Sequence, residues 1–357
     1  MLFEPERHQT LSPDRWDEQF VRATLERIAA DAIRDFSATT LWPTHPDDAP
    51  PSATFYNLYI GAAGVIWALD YLRCSGATDT IPDYGPIVID LIAPNHARFA
   101  RARALGVGGL LSGDTGILLT AARLNGIPTV AERIADAVDG NADNPCQELM
   151  YGAPGTALAS LTMWRETGDA IWVERSRRDI GCLWSQLRPC IDADCLIWEQ
   201  EIAGQLASHL GAVHGFVGNV LPALQGWSLL STQQQTDWSA CIERTLRATA
   251  IRQGELANWP PSQGRHRTGR RAILVQHCHG APGIVNALAY FTDSRIDDLL
   301  IAAGELTWHA GPLVKGGNLC RGTAGYGFAF LKLFGRTKDE IWLDRARRFA
   351  MHACRQK

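Results

Sequence analysis

The 357 residues are 46% hydrophobic and 20% charged, the balance of a globular chain that buries a sizeable core. A net charge of −4 with no long basic block argues against nucleic acid or an anionic membrane surface as partner. No apolar run approaches the ~18 residues of a membrane span, the N-terminus lacks a basic-then-apolar signal pattern, and the nine cysteines follow no framework spacing. Reduced thiols in a cytoplasmic protein are therefore expected.

A charged, amphipathic helix is expected over residues 14–36, followed by a loop rich in Pro, Thr and Asp to residue 56. A repeat then begins. Gly61-Ala-Ala-Gly64 leads into an apolar run at 65–72, Gly113-Asp-Thr-Gly116 into 117–124, and Gly152-Ala-Pro-Gly155 into 156–163. Gly215-Phe-Val-Gly218, Gly280-Ala-Pro-Gly283 and Gly322-Thr-Ala-Gly325 lead into runs at 220–227, 284–291 and 327–334. Between the runs lie charged segments of helical periodicity at 84–105, 128–139, 168–188, 234–252, 294–311 and 337–355. Six glycine pairs 39 to 65 residues apart are the mark of a repeat architecture. The reading is an all-α double ring, with apolar inner helices behind the glycines and charged outer helices between them. It forms one domain over 1–357: an outer helix and loop at 1–56, six repeats at 57–335, and a last outer helix at 336–357. Pro222 falls in the first turns of its helix, where it is tolerated. Asp114, inside its glycine pair, reads as a helix N-cap.

The glycines index the chemistry. Cys278 and Cys320 each stand two residues before their glycine pair, and His214, His279 and Arg321 stand one before. Equivalent repeats would bring these residues to one rim, at helix N-termini whose dipole favours thiolate. Two thiolates and an imidazole nitrogen make a zinc site. Two cysteines 42 residues apart without a CxxC also read as buried thiols at helix starts. His214 suits acid–base work near pH 7 and reads equally as a capping residue. Glu148, four residues before Gly152, is expected above the same rim. The basic stretch 265–271 reads as a solvated loop, or as a patch that steers an anionic substrate towards Cys278.

At His277-Cys-His-Gly-Ala-Pro-Gly283, Ala212-Val-His-Gly215 and Leu319-Cys-Arg-Gly-Thr-Ala-Gly325 the chain resembles the lanthionine synthetase C-like family, nearest its eukaryotic-type branch. The resemblance implies an α/α toroid of seven inner and seven outer helices, with a zinc ion held by two Cys and one His. It implies activation of a thiol for Michael-type addition to dehydroalanine or dehydrobutyrine. That thiol is a peptide cysteine in cyclases and glutathione in the eukaryotic-type branch, and a dehydratase or kinase would supply the dehydrated residue. Carried over by position, Cys278 and Cys320 match the zinc cysteines, His214 the acid–base histidine, Glu148 an acidic residue beside it, and Lys315 a lysine linked to glutathione.

The chain departs from the family pattern in two ways. Arg321 stands where the third zinc ligand belongs, and a guanidinium offers donors only. His277 could replace that ligand; Arg321 could instead hold a carboxylate or phosphate, with His279 beside it. The seventh glycine motif is also missing. Apolar flanks of the first and sixth inner helices are then expected to stay uncovered, which marks an interface between copies or an instability. Two further readings remain: a degenerate glutathione- or peptide-binding protein without a complete zinc site, and a carbohydrate-active toroid. The latter would need paired carboxylates ~5–10 Å apart, and only Glu148 and Asp114 offer themselves.

Overall fold

The computed structural model describes residues 1–46, 49–50, 53–101, 106–264 and 273–356. The basic stretch 265–271 therefore lies outside the described residues. About 56% of the chain is helical, and the sheet content described is three two-stranded antiparallel hairpins (Arg188–Pro189 with Leu196–Ile197, Gln200–Ile202 with Gln205–Ala207, Ile251–Gln253 with Leu256–Asn258). No described helix is long and apolar enough to cross a membrane.

The chain divides into two compact units: Glu18–Cys146 with Met150–Arg175, and Met1–Asp17, Gln147–Leu149 and Ser176–Lys357. The unit that holds Glu18–Cys146 contains the glycine-led helices Ala62–Cys74, Asp114–Asn125 and Ala153–Thr167 and the charged helices Glu18–Arg34, Ile92–Arg101 and Ala131–Asn141. Ile66, Leu69, Ile117, Leu118, Ala121, Ile134, Val138 and Met163 form its core. The other unit contains the glycine-led helices Phe216–Asn219, Leu221–Gln225, Ala281–Leu288 and Thr323–Thr337 and the charged helices Thr232–Thr249, Asp297–Ala310 and Glu340–Ala353. Its core is heavier in aromatic residues, among them Trp198, Phe216, Trp238, Trp259, Tyr326, Phe330 and Phe349. The helix expected at 220–227 is short, Leu221–Gln225, and a separate turn Phe216–Asn219 precedes it; the two are divided at Val220, because Pro222 has no N–H to continue the ladder.

None of the helices behind the six glycine pairs has a side-chain N-cap. A helix start leaves N–H groups without intrahelical partners; behind Gly61, Gly113, Gly215 and Gly322 the loop seven residues upstream supplies them, and behind Gly280 the Ala281 N–H donates to Asn258 Oδ1 at 2.8 Å. Ala62, Ala63 and Gly64 donate to the carbonyls of Phe55, Tyr56 and Asn57 at 3.0, 3.2 and 3.4 Å. Phe216, Val217 and Gly218 donate in the same way to His209, Leu210 and Gly211 at 2.9, 3.2 and 3.4 Å, and Thr323 and Ala324 to Gly316 and Gly317 at 3.0 and 3.3 Å. The loop must press against the helix to do this. A Cβ on Gly283 would stand 1.9 Å from the His277 carbonyl oxygen, so the second glycine of the pair is a steric requirement. Asp114 is the first helical residue rather than the expected N-cap. Gly113 takes the cap position, and the Asp114 carboxylate accepts hydrogen bonds from Asn95 and His96 at 2.8 and 2.7 Å.

Several described helices keep large apolar side chains in solvent, among them Ala62–Cys74 and Thr323–Thr337. Trp67 and Tyr71 are stacked and exposed on Ala62–Cys74. Phe328 and Leu331 are about half exposed on Thr323–Thr337, at 51% and 46%.

The N-terminal segment straps its own unit. Leu2 enters the core, His8 bridges to Leu313, and the Ser12 N–H donates to His352 Nδ1 on the last helix at 3.0 Å.

Candidate functional site

His214 ends the loop that caps Phe216–Asn219, and that loop is pinned to residues 147–149. The Leu149 N–H donates to the Val213 carbonyl at 3.0 Å, and Asn219 Nδ2 donates to the Gln147 carbonyl at 2.7 Å. Glu148 lies between these two anchors, fully buried, with Oε2 2.6 Å from His214 Nδ1. A carboxylate can only accept, so Nδ1 carries the proton and donates to Glu148. The imidazole is fixed in one tautomer with Nε2 left over, and the His214 side chain is 25% exposed.

Two more imidazoles surround it. Ring centroids of His209 and His279 are 6.3 and 6.2 Å from that of His214, and 5.4 Å from each other. Burial, and then the neighbouring His214, hold the His209 ring below its ordinary pKa. The histidine loop rests directly on the first cysteine: a Cβ on Gly211 would meet the Cys278 carbonyl oxygen at 1.9 Å.

Cys278 is buried and Cys320 half-buried. Their thiols are hydrogen-bonded to one another, and the Cys278 N–H donates to the Cys320 carbonyl at 3.4 Å. The hydrogen bond to Cys320 and burial push the Cys278 thiol up, opposite to the lowering expected from the helix dipole; Gln276 and the charge of Arg321 pull the other way. Gln276 Nε2 lies 2.9 Å from Cys278 Sγ, and Arg7 Nη2 donates to Gln276 Oε1 at 3.4 Å, which turns the amide nitrogen towards the sulfur. Arg321 is exposed, with its backbone N–H on Asn318 Oδ1 at 2.8 Å. Lys315 is exposed in the loop five residues before Cys320.

His277 turns away from the thiols. Asn286 Nδ2, fixed by its bond to the Gly325 carbonyl at 2.9 Å, donates to His277 Nδ1 at 3.1 Å. Burial and the charge of Lys332 lower the ring's pKa to about 4. Among the described residues no three His, Cys, Asp or Glu side chains stand together as metal ligands. The thiol pair thus offers two of the three zinc ligands that the resemblance implies. The Gln276 amide nitrogen and the Arg321 guanidinium, which act on Cys278, are both donors, and neither can complete the set. The residues present do not fit a three-ligand zinc site.

The structure therefore brings together His214, Glu148, His279, Cys278 and Cys320, with the Arg321 charge reaching Cys278, and it separates His277 from them. The sequence reading missed His209 and Gln276. His209 has a traceable signal, since it lies seven residues before Phe216 and supplies the carbonyl that caps that helix. Gln276 has none, because its orientation depends on Arg7 at the other end of the chain.

The profile of the lanthionine synthetase C-like protein family matches residues 52–357. Over 170 residues the chain is 29% identical to the zebrafish (Danio rerio) protein Glutathione S-transferase LANCL1, which covers 44% of this chain and 38% of that protein. Over 103 residues it is 40% identical to LanC-like protein GCL1 of Arabidopsis thaliana, covering 28% of this chain and 23% of that one. The matched spans are thus well under half the length of these relatives. Among solved structures, nisin cyclase aligns with a TM-score of 0.60 at 16% identity, over 93% of this chain and 86% of its own. That likeness shows the fold, the all-α toroid class expected from the repeat. With the profile covering most of its length, the chain belongs to the lanthionine synthetase C-like protein family.

Proposed function

We propose that this protein adds a thiol to a dehydroalanine or dehydrobutyrine residue of a peptide or protein, forming a thioether. The thiol is a peptide cysteine or glutathione. Family membership supports the reaction class, and the names of the relatives, a cyclase and a glutathione S-transferase, support the two thiol sources. The observation that carries the reading is the buried Glu148 carboxylate 2.6 Å from His214 Nδ1, beside the paired thiols of Cys278 and Cys320.

His214 Nε2 takes the proton from the incoming thiol. The sulfur attacks the β-carbon of the dehydro residue, and the double-bond electrons move onto the neighbouring carbonyl as an enolate. His214 then returns the proton to the α-carbon. The net change is one new C–S bond and one new C–H bond, with no redox partner. Glu148 holds the ring and stabilises the imidazolium between the two transfers, a role a buried carboxylate can fill beside histidine. No step is routed through zinc, since the described side chains do not complete its ligand set. Incubation of the protein with glutathione and a dehydroalanine peptide, followed by mass spectrometry, tests the reading. The adduct should form with the natural chain and disappear with His214→Ala.

A second reading is favoured by Arg321, whose charge reaches Cys278 from the third ligand's position. In it the protein binds glutathione or a peptide carboxylate through Arg321 and Lys315 and catalyses nothing. Should zinc binding and thioether formation both appear only in Arg321→His, this second reading replaces the first.

A further inference from the structure

We propose that Cys278 and Cys320 act as a reversible dithiol–disulfide couple that exchanges with small disulfides. This activity is separate from thioether formation and stands or falls without it.

The placement of the sulfurs carries the idea. The two thiols already share a hydrogen bond, and a backbone bond from Cys278 N–H to the Cys320 carbonyl ties the two strands of loop together. The groups facing them are donors. Gln276 Nε2 stands 2.9 Å from Cys278 Sγ, and Arg7 fixes that amide so that its oxygen points away. Arg321 adds positive charge on the same side. A donor and a cation around a sulfur suit a partly negative sulfur in exchange and oppose a bound metal cation, which would compete for the same lone pairs. Access is graded as exchange requires: Cys320 is half-buried and Cys278, its hydrogen-bonded partner, is buried.

The reaction balances without a further reagent. The Cys320 thiolate attacks one sulfur of a disulfide RSSR, and RS⁻ leaves. Cys278 then attacks the Cys320 sulfur of the mixed disulfide, and the second RS⁻ leaves. The protein loses two hydrogens, and RSSR becomes two RSH.

A second pair provides an internal comparison. Cys190 and Cys195 face one another across the Arg188–Pro189 and Leu196–Ile197 hairpin, with Cys190 N–H on the Cys195 carbonyl at 2.9 Å, and their thiols also touch. Locating the bridge is therefore part of the test.

The full chain is purified reduced from zinc-replete cells, its zinc content measured, and glutathione disulfide added. Alkylation counting and peptide mapping follow. The expected result is zinc well below one per chain, loss of two alkylatable thiols, and a Cys278–Cys320 cross-link that dithiothreitol reverses. Cys278→Ser should instead trap glutathione on Cys320, and Arg321→His should gain zinc and lose the exchange. One zinc per chain that protects the pair, a bridge at Cys190–Cys195 alone, or no bridge at all overturns the proposal. The adduct assay on the same reduced protein reports separately on thioether formation, so either activity can fail without the other.

Discussion

Replacing Glu148 with Gln removes one charge and almost no volume, at a site where both partners are fixed. The carboxylate is fully buried and held between two backbone anchors, so the side chain cannot turn to another partner without opening residues 147–149. What is lost is a hydrogen bond to a charged group, worth about 1.5–3 kcal/mol. If that bond acts on the imidazolium during proton transfer, the loss converts to roughly a 10- to 150-fold fall in kcat/KM. The amide can also pair with either tautomer of His214, so the pH profile of the reaction should broaden or shift as well as drop. The assay is the rate of glutathione addition to a dehydroalanine peptide across pH, with a urea melt to confirm that the variant is folded. A folded Glu148→Gln protein with kcat/KM within twofold of the natural chain at every pH would refute the acid–base role of the pair.

Other expectations follow from the packing. Gly211→Ala puts a Cβ into the Cys278 carbonyl, so it should lower stability by about 1–3 kcal/mol or more and slow thiol exchange, measured by denaturant midpoint and alkylation rate. Asp70 accepts hydrogen bonds from Arg123 and Arg73; burial opposes its ionisation, but the two guanidinium groups outweigh it and hold its pKa below the ordinary value. A lowered carboxyl contributes stability above the unfolded-state pKa and loses it as pH falls through the folded-state value. Asp70→Asn should therefore cost roughly 1–3 kcal/mol at neutral pH and flatten the acid limb of stability in urea melts from pH 7 to 3. Arg345 is buried, forks onto Glu305 at 2.8 and 3.0 Å, and lies over the Trp308 and Trp342 rings at 5.0 and 4.6 Å. Arg345→Lys keeps the charge but loses the fork and the stacking, and should lower the unfolding free energy by about 1–3 kcal/mol.

Much of this fold is written in the glycine pairs, because all six mark helix starts and at five of them a Cβ would meet backbone atoms within 2.6 Å. Counting from them placed seven charged helices and six apolar runs, and counting back from Gly152 put Glu148 on the rim with His214. Of the short hairpins between residues 188 and 258, the sequence offers only the alternating piece Cys195-Leu-Ile-Trp198, which holds the strand Leu196–Ile197; strands of two or three residues otherwise show no period. The helix break at Val220 needed the exact position of Pro222 within its turn. His277 shows the limit most clearly. Spacing put it next to Cys278, but neighbouring residues in an irregular loop point in different directions, and its ring is held by Asn286, which comes from the following helix. Sequence adjacency carries no such directional information outside a helix or strand.

The backbone capping of the glycine-led helices has a consequence for how such a site can change. In most proteins the residue ahead of a helix earns its place by hydrogen-bonding the first turn, and replacing it costs stability. Behind Gly215 and Gly322 carbonyls do that work from the upstream loop, so positions 214, 320 and 321 are not needed to cap the helices they precede. They form a socket whose contents can be exchanged while the housing stays intact. An arginine can then stand at position 321 without unwinding the helix behind it, so the chemistry of this rim can be altered while the fold around it is kept.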